Sequence, residues 1–339
     1  MILDNTIRLD FSDVLLRPMT SSLNSRSEVD LTRTFKFIHS SKILTCVPII
    51  AANMDTVGTF AMAKVLQKHK MLTALHKFYT PKEIWNELDS TDLDPAYLIF
   101  STGIRPADFE RLEDFKRLEL DLDINIIMID VPNGYIPNFF ESCKKVREMF
   151  PDHIIMAGNI VTADVTERLI QDCGVDVVKV GIGPGEACTT RALTGVGYPQ
   201  LSAVIETANA AHGLKGWTIS DGGCRTPGDV AKAFCAGGDF VMLGGMLSAH
   251  DESGGEVVEQ NGKKFVKFYG MSSAEAMNKY YGGVASHRAP EGITMLKEYK
   301  GPVENTVLEI LGGVRSSCTY IGAATIKECH KRANFVRIK

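Results

Sequence analysis

The chain has 339 residues, 45% of them hydrophobic and 23% charged, and a net charge of −4 at pH 7. This composition is that of a globular protein, and the slight negative charge argues against an extended basic face for nucleic acid. No apolar run reaches the roughly 18–20 residues that span a bilayer. The N-terminal stretch MILDNTIRLDFSD lacks the apolar centre of a signal peptide. We therefore expect a cytoplasmic protein that binds neither a membrane nor nucleic acid.

Eight short apolar runs, rich in β-branched residues, recur along the chain. Each is continuous rather than alternating, which is typical of strands buried on both faces of a parallel sheet. The predicted strands are VPIIAA (47–52), MLTALH (71–76), YLIFST (97–102), NIIMIDV (125–131), HIIMAG (153–158), DVVKVG (176–181), WTISDG (217–222) and DFVMLG (239–244).

Helical patterns lie between most of these strands, and several begin at a proline or after a capping residue such as Thr162 or Thr226. Eight strand–helix units predict an α/β fold, a (β/α)8 TIM barrel, formed by residues 1–339 as a single domain. A doubly wound open sheet is the alternative. Residues 1–42 form an N-terminal extension, and a C-terminal decoration includes a predicted β-hairpin around Asn261-Gly262.

The ends of the seventh and eighth strands carry Asp221-Gly222-Gly223 and Gly244-Gly245. Barrels of this kind place their active sites at the C-terminal ends of the strands and often bind phosphate after strands seven and eight. Glycines there expose backbone N–H groups to an anion. Asp221 would be repelled by a phosphate, so it is better suited to a pair of sugar hydroxyls.

The sixth strand runs into the stretch GIGPGEACTTR, residues 181–191, which contains Cys188. The stretch lacks the glycine spacing of a dinucleotide fingerprint and the lysine of a P-loop. Cys188 is either a small buried thiol or a nucleophile. The backbone carbonyls of the turn could also coordinate a monovalent cation. The eight cysteines form no C-x-x-C pair, so zinc sites and disulfides are not expected.

Several motifs are similar to those of the inosine-monophosphate dehydrogenase and GMP reductase family, from about Leu9 to Ile338. They are PIIAANMDTVGT, GIGPGEACTTR, TGVGYPQLSAV, SDGGC, PGDVAKAF, FVMLGGML, FYGMSS and ILGGVRSSCTYIGA. Only residues 77–80 separate the second strand from the next helix, so the dehydrogenase's inserted regulatory domain is missing. The segment 291–301 is also too short to contain the mobile flap of the dehydrogenase. Both features favour the reductase branch.

The resemblance implies NADPH-dependent reductive deamination of GMP to IMP, with release of ammonia, in purine nucleotide salvage. Cys188 would attack C2 of guanine and form a covalent thioimidate, to which NADPH then delivers hydride. Thr190 and Glu291 match the family's proton relay. The alternatives are oxidation of the dehydrogenase type, or a relative that binds purine nucleotides without turning them over.

The resemblance also implies three sets of binding residues and a homotetramer with a cofactor site shared between subunits. Substrate would bind to Asp221, Gly222, Gly223, Gly244, Gly245, Gly270, Met271, Ser272, Arg288 and Gly292. NADPH would bind to Ser25, Arg26, Lys77, Asp130, Val131, Pro132, Ile182, Gly183, His287, Arg288, Ser316, Ser317, Cys318 and Thr319. Potassium would bind to Gly183, Gly185, Cys188 and Arg191.

This sequence departs from the family at Glu186, where relatives usually have a serine that contacts the substrate phosphate. A carboxylate about 4 Å from a phosphate costs on the order of 1–4 kcal/mol, depending on the local dielectric. We expect Arg225, or a displaced rotamer of Glu186, to offset that charge. His287 stands where relatives usually have tyrosine.

Overall fold

The computed structural model describes residues 3–287 and 289–338. Eight parallel strands form a closed barrel, because the eighth strand pairs with the first in the register Val241↔Ile49. In chain order the barrel strands are Ile49–Ala51, Leu72–Leu75, Leu98–Thr102, Ile126–Asp130, Ile154–Ile160, Val177–Val180, Trp217–Asp221 and Phe240–Leu243. The predicted TIM barrel is confirmed at all eight strands, and the open-sheet alternative is wrong.

Helices follow the strands, and most of them cover the outside of the barrel. They are Phe60–Leu66, Pro81–Ser90, Pro106–Arg117, Glu119–Leu122, Pro137–Met149, Ala163–Cys173, Thr190–Thr194, Gln200–Gly213, Pro227–Cys235, Ala274–Tyr281, Val303–Ile321 and Cys329–Arg332. The predicted cap at Thr226 is present, since its side chain accepts from the N–H of Asp229. None of the helices described is long and apolar enough to cross a membrane.

The barrel strands are apolar on both faces because each face packs against a different part of the core. One set of alternate residues, including Ile50, Met128 and Val177, fills the barrel interior. The other set, including Ile127 and Val178, packs against the surrounding helices. This double burial explains the continuous apolar runs of the sequence.

The N-terminal extension closes the bottom of the barrel. An antiparallel hairpin, Arg33–Lys36 with Ile43–Cys46, places the Phe35 ring against Phe240, with ring centroids 4.3 Å apart. Arg33, the first residue of this hairpin, forms a buried ion pair with Asp239 at 2.9 Å. A short strand, Val14–Leu16, pairs with Phe335–Arg337 and joins the two ends of the chain.

A three-stranded antiparallel sheet stands between the eighth barrel strand and the helix Val303–Ile321. Its first two strands, Val257–Gln260 and Lys263–Tyr269, form the hairpin predicted at Asn261-Gly262, where both residues have positive φ. The sequence did not predict its third strand, Thr294–Glu298. We call this three-stranded sheet, together with the segment from residue 270 to 293, the insert.

The carboxylate of Asp55 attaches the insert to the barrel. Asp55 follows the first barrel strand and is buried. It accepts hydrogen bonds from the hydroxyls of Tyr269 and Tyr280, both at 2.6 Å, and from Lys279 Nζ at 2.8 Å. The insert is therefore fixed against the C-terminal ends of the barrel strands.

Candidate active site

Two adjoining cavities open at the C-terminal ends of the barrel strands, where the sequence predicted the site. Asn159, Asp221, Met242 and Pro132 are among the residues that line both. The first cavity adds the loop that carries Cys188, and the second extends toward Lys77 and Arg105. Together they form a two-part cleft with Asp221 near its centre.

Cys188 lies in the first cavity at the start of a hydrogen-bonded chain. Its Sγ is 3.3 Å from Thr190 Oγ1, and that hydroxyl donates to Glu291 Oε2 at 2.7 Å. Backbone contacts hold the two loops together, because Thr189 N donates to the carbonyl of Glu291 at 3.1 Å and Cys188 pairs with Gly292 in an antiparallel bridge. A thiol, a hydroxyl and a carboxyl are thus placed in series.

Cys188 and Cys224 both line this cavity, but their surroundings differ. Burial raises the pKa of Cys224, and the nearby carboxylates of Asp229 and Asp221 raise it further. Cys188 instead has a hydroxyl and a carboxyl through which its proton can leave. Of the two thiols, Cys188 is the better placed to act as a nucleophile.

The two Gly-Gly pairs form one wall of the first cavity. Gly222 and Gly223 have φ values of 87° and 85°, a region that side chains with a Cβ rarely adopt. None of the N–H groups of Gly222, Gly223, Gly244 and Gly245 donates a hydrogen bond to a described residue. We call these four glycines the cradle. Such free N–H groups are suited to an anion.

Asp221 belongs to a layer of charged side chains at the top of the barrel interior. Lys179 Nζ lies 2.6 Å from Asp221 Oδ2 and 2.8 Å from Asp130 Oδ1. Asn159 Nδ2 also donates to Asp221, at 2.8 Å, and Asn53 Nδ2 donates to Asp130, at 2.9 Å. Asp221 therefore keeps a fixed orientation toward the cleft.

The charges of this layer support one another. Burial alone would lower the pKa of Lys179, but Asp130 and Asp221 raise it above its ordinary value. Burial alone would raise the pKa of Asp130, but Lys179 outweighs this effect and lowers it. Sequence reasoning missed Lys179, although a lysine inside the apolar strand DVVKVG marks a buried charge that needs a partner.

Glu186 has a partner that the sequence did not indicate. Lys297 Nζ lies 2.8 Å from Glu186 Oε2 and donates to the carbonyl of Gly245 at 2.7 Å. A Cβ at Gly245 would lie 2.0 Å from Glu186 Oε2, so any side chain at this position would displace the carboxylate from where it now lies. The expectation that Arg225 offsets Glu186 is wrong, because the third strand of the insert supplies the cation.

The residues predicted for substrate are mostly brought together. Asp221, the cradle and the segment Gly270-Met271-Ser272 line the first cavity. Gly292 is buried behind it, where it bridges to Cys188 and Ser273. Arg288, predicted for substrate and cofactor, lies outside the described residues.

The residues predicted for the cofactor fall into two groups. One group lies in the cleft: Lys77, Asp130, Val131 and Pro132 line the second cavity, and Ile182 and Gly183 line the first. The other group lines neither cavity: it comprises Ser25, Arg26, Ser316, Ser317, Cys318, Thr319 and the exposed His287. Ser25 and Arg26 stand at a short 3₁₀ turn beside the helix Val303–Ile321, which carries Ser316 to Thr319.

Cys318 does not suit a ligand-binding role. It is 1% exposed, and its Sγ packs 3.5 Å from Cys329 Sγ inside the chain's own core. Ser316, Ser317 and Thr319 are partly exposed, with hydroxyls that donate to carbonyls of their own helix. The Cys318 side chain therefore points away from the surface, and the cofactor contact at this position stays a prediction.

The loop predicted to bind potassium is a tight turn in which Cys188 N donates to the carbonyl of Gly185 at 3.1 Å. Thr189 Oγ1 is buried beside it and has no hydrogen-bond partner among the described residues. The guanidinium of Arg191 is already engaged by Asp10, at 2.9 Å, and by the carbonyl of Tyr198. No cluster of His, Cys, Asp and Glu within the described residues could hold a metal ion.

Comparison with known proteins identifies the family of this chain. The family model described as the IMP dehydrogenase / GMP reductase domain matches residues 8–339. The chain is 58% identical to GMP reductase 2 of Bos taurus and to that of Homo sapiens, in each case over 337 residues, 99% of this chain and 96% of the relative. It is 55% identical to GMP reductase of Aliivibrio fischeri (strain MJ11) over 342 residues, which cover 100% of this chain and 97% of the relative. The chain belongs to the IMP dehydrogenase / GMP reductase family.

Proposed function

We propose that this protein is a GMP reductase that converts GMP to IMP and ammonia with NADPH as reductant. The observation that carries the proposal is the chain Cys188–Thr190–Glu291, which opens into a cavity bounded by the cradle and by Asp221. A nucleotide with its phosphate on the cradle and its ribose on Asp221 would extend its base toward the thiol.

Cys188 is the nucleophile in this proposal. Its proton passes to Thr190 while Thr190 donates its own to Glu291, because one hydroxyl both accepts and donates. The thiolate attacks C2 of the guanine ring and forms a carbon–sulfur bond. Thr190 lies 3.3 Å from the sulfur, so no rearrangement of the loop is needed for this transfer.

The same chain then serves as the acid. Expulsion of an amide ion is too costly, so the C2 amino group must be protonated as its carbon–nitrogen bond breaks. Glu291 returns the proton through Thr190, and ammonia leaves a thioimidate attached to Cys188. The mutual orientation of Thr190 and Glu291 is fixed by the backbone hydrogen bond from Thr189 N to the carbonyl of Glu291.

The second cavity is suited to NADPH, which would supply the hydride to C2 when it is bound. The carbon–sulfur bond would then break, so that Cys188 leaves as a thiolate and IMP is released. The outer end of this cavity is lined by Lys77 and Arg105, cations that would pair with phosphate groups. Its inner end meets the first cavity at Pro132 and Met271. The carbonyls of Gly183, Gly185 and Cys188 would hold K⁺ and support the turn that presents the thiol.

Residues from a neighbouring subunit would complete the cofactor site. Ser25, Arg26 and the exposed face of the helix Val303–Ile321 form a second cluster that does not line the cleft of their own chain. In a homotetramer, this cluster would face the outer end of the next subunit's second cavity.

The decisive experiment follows NADPH absorbance with purified protein and a panel of guanine and adenine nucleotides. We expect oxidation of NADPH only with GMP, together with equal amounts of IMP and ammonia, and loss of turnover in Cys188→Ala. Reduction of NAD with IMP would instead assign dehydrogenase chemistry. Tight binding of GMP without oxidation of NADPH would assign a non-catalytic binding protein.

A further inference from the structure

Glu186 and Lys297 form an ion pair at the edge of the cradle. Their charged atoms are 2.8 Å apart, with side chains 35% and 16% exposed, and they belong to the loop after the sixth barrel strand and to the insert. The Lys297 ammonium also lies 5.1 Å from the centre of the Phe268 ring. A lysine held by a carboxylate, a carbonyl and an aromatic face has little freedom to move.

The ammonium retains a donor for a ligand. Of its three N–H groups, one is directed to Glu186 and one to the carbonyl of Gly245. Gly245 is itself part of the cradle, and a Cβ built on it would lie 3.2 Å from Lys297 Nζ, so the ammonium is adjacent to the Gly245 end of the cradle. An anion on the cradle would therefore meet a cation as well as backbone dipoles.

We propose that Lys297 is a phosphate-binding residue that selects a nucleoside 5′-monophosphate over the nucleoside, and that Glu186 positions it. This inference rests on the proposed function. It assigns an ammonium the contact that a neutral serine hydroxyl makes in relatives. Glu186 stays paired with Lys297 when phosphate binds, so its charge is neutralised beside the phosphate.

The neutral Glu186–Lys297 pair could also suit an uncharged 5′-hydroxyl, which would make guanosine the substrate. The cradle argues for phosphate, because four N–H groups that donate to no described residue would be left unpaired by a single hydroxyl. A phosphate has enough acceptor oxygens to pair with several of them and with Lys297.

A double-mutant cycle tests the proposal, with steady-state kinetics for GMP and guanosine and with calorimetric GMP binding. We expect Lys297→Met to raise KM for GMP at least thirtyfold, to change kcat less than threefold, and to leave guanosine binding unchanged. Lys297→Arg should stay within tenfold of wild type. Lys263→Met, at the hairpin end of the same sheet and in an exposed ion pair with Glu298, is the matched control.

The coupling between the two residues gives the sharper result. Glu186→Ser alone should change KM for GMP by less than tenfold, because two effects oppose each other. It removes the repulsion between the carboxylate and the phosphate, and it also removes the contact that holds Lys297 in place. In the Lys297→Met background it should recover most of the lost affinity, because the uncompensated carboxylate is then gone. The double variant should return to within tenfold of wild type.

Two outcomes would overturn the proposal: a threefold or smaller effect of Lys297→Met, or equal losses for GMP and guanosine. A double variant as impaired as Lys297→Met would overturn the claim that Lys297 neutralises Glu186 beside the phosphate. Wild-type protein that binds guanosine as tightly as GMP would also overturn the proposal, while leaving reductase chemistry intact. If no NADPH is oxidised, the proposed function fails, and the calorimetric cycle still decides the role of Lys297.

Discussion

Thr190 and Glu291 lie 101 positions apart in the sequence, yet Thr190 Oγ1 donates to Glu291 Oε2 at 2.7 Å. Thr190 is therefore the one hydroxyl between the thiol and the acid. Thr190→Val keeps the shape of the side chain and removes the relay, so kcat should fall about 10²- to 10⁴-fold. Thr190→Ser, which keeps the hydroxyl, should retain at least a tenth of the activity. Equal losses in both variants would show that packing, not proton transfer, is responsible.

The acid role of Glu291 can be separated from its structural role by the choice of leaving group. Glu291→Gln should nearly abolish turnover of GMP, because ammonia must be protonated as it leaves. A purine ribotide with chloride at C2 needs no such proton. At alkaline pH, where solvent can take the Cys188 proton in place of Glu291, this ribotide should still form a covalent adduct with Cys188 in Glu291→Gln, detected as a mass increase on the peptide that contains the cysteine. No adduct in the variant would argue that Glu291 mainly orders the loop.

Lys179 should be a strong determinant of stability. It is 2% exposed and joins the carboxylates of Asp130 and Asp221, which would face each other without a cation in Lys179→Met. Breaking a fully buried pair costs about 3–5 kcal/mol, and we expect roughly 2–3 kcal/mol here because both carboxylates are partly exposed. Urea unfolding measures this loss. Adding Asp130→Asn should recover part of it, and a lack of recovery would contradict the electrostatic explanation.

The bottom of the barrel should show a pH-dependent stability that depends on His212. Its Nε2 lies 2.8 Å from Asp239 Oδ2, and this hydrogen bond raises the pKa of His212 despite partial burial. A raised pKa contributes stability that is complete below the unfolded-state value of about 6.5 and is lost as pH rises through the folded-state value. The stability lost in His212→Gln should therefore be larger at pH 6 than at pH 8. Thermal unfolding at the two pH values measures it, and an equal loss at both would exclude the ion pair as its source.

The barrel could be predicted from the sequence because its determinants are local. The strand Phe240–Leu243 is a continuous apolar run, and the hairpin at Asn261-Gly262 has its turn residues side by side. The strand Thr294–Glu298 was missed because it is half exposed and is stabilised by its partner Lys263–Tyr269 rather than by its own sequence.

Only the part of the site that lies within recognisable sequence motifs could be predicted. Cys188, Thr190 and Glu291 are recognisable by resemblance, and the structure brings them into contact. The partner of Glu186 was not predictable, because Lys297 lies 111 residues away on a strand that the sequence did not reveal. The burial of Cys318 likewise depends on the packing of Cys329, which the sequence pattern does not specify.

The attachment of the insert through Asp55 has a consequence for redesign. The barrel contributes Cys188, the proposed nucleophile, whereas the insert contributes both Glu291, the proposed acid, and the ammonium of Lys297. The insert is joined to the first barrel strand mainly by one carboxylate and three donors. The insert could therefore be exchanged between related barrels as one unit. If it is grafted together with Asp55 and Glu186, it should transfer the preference for a substrate phosphate. The reaction at Cys188 should stay the same.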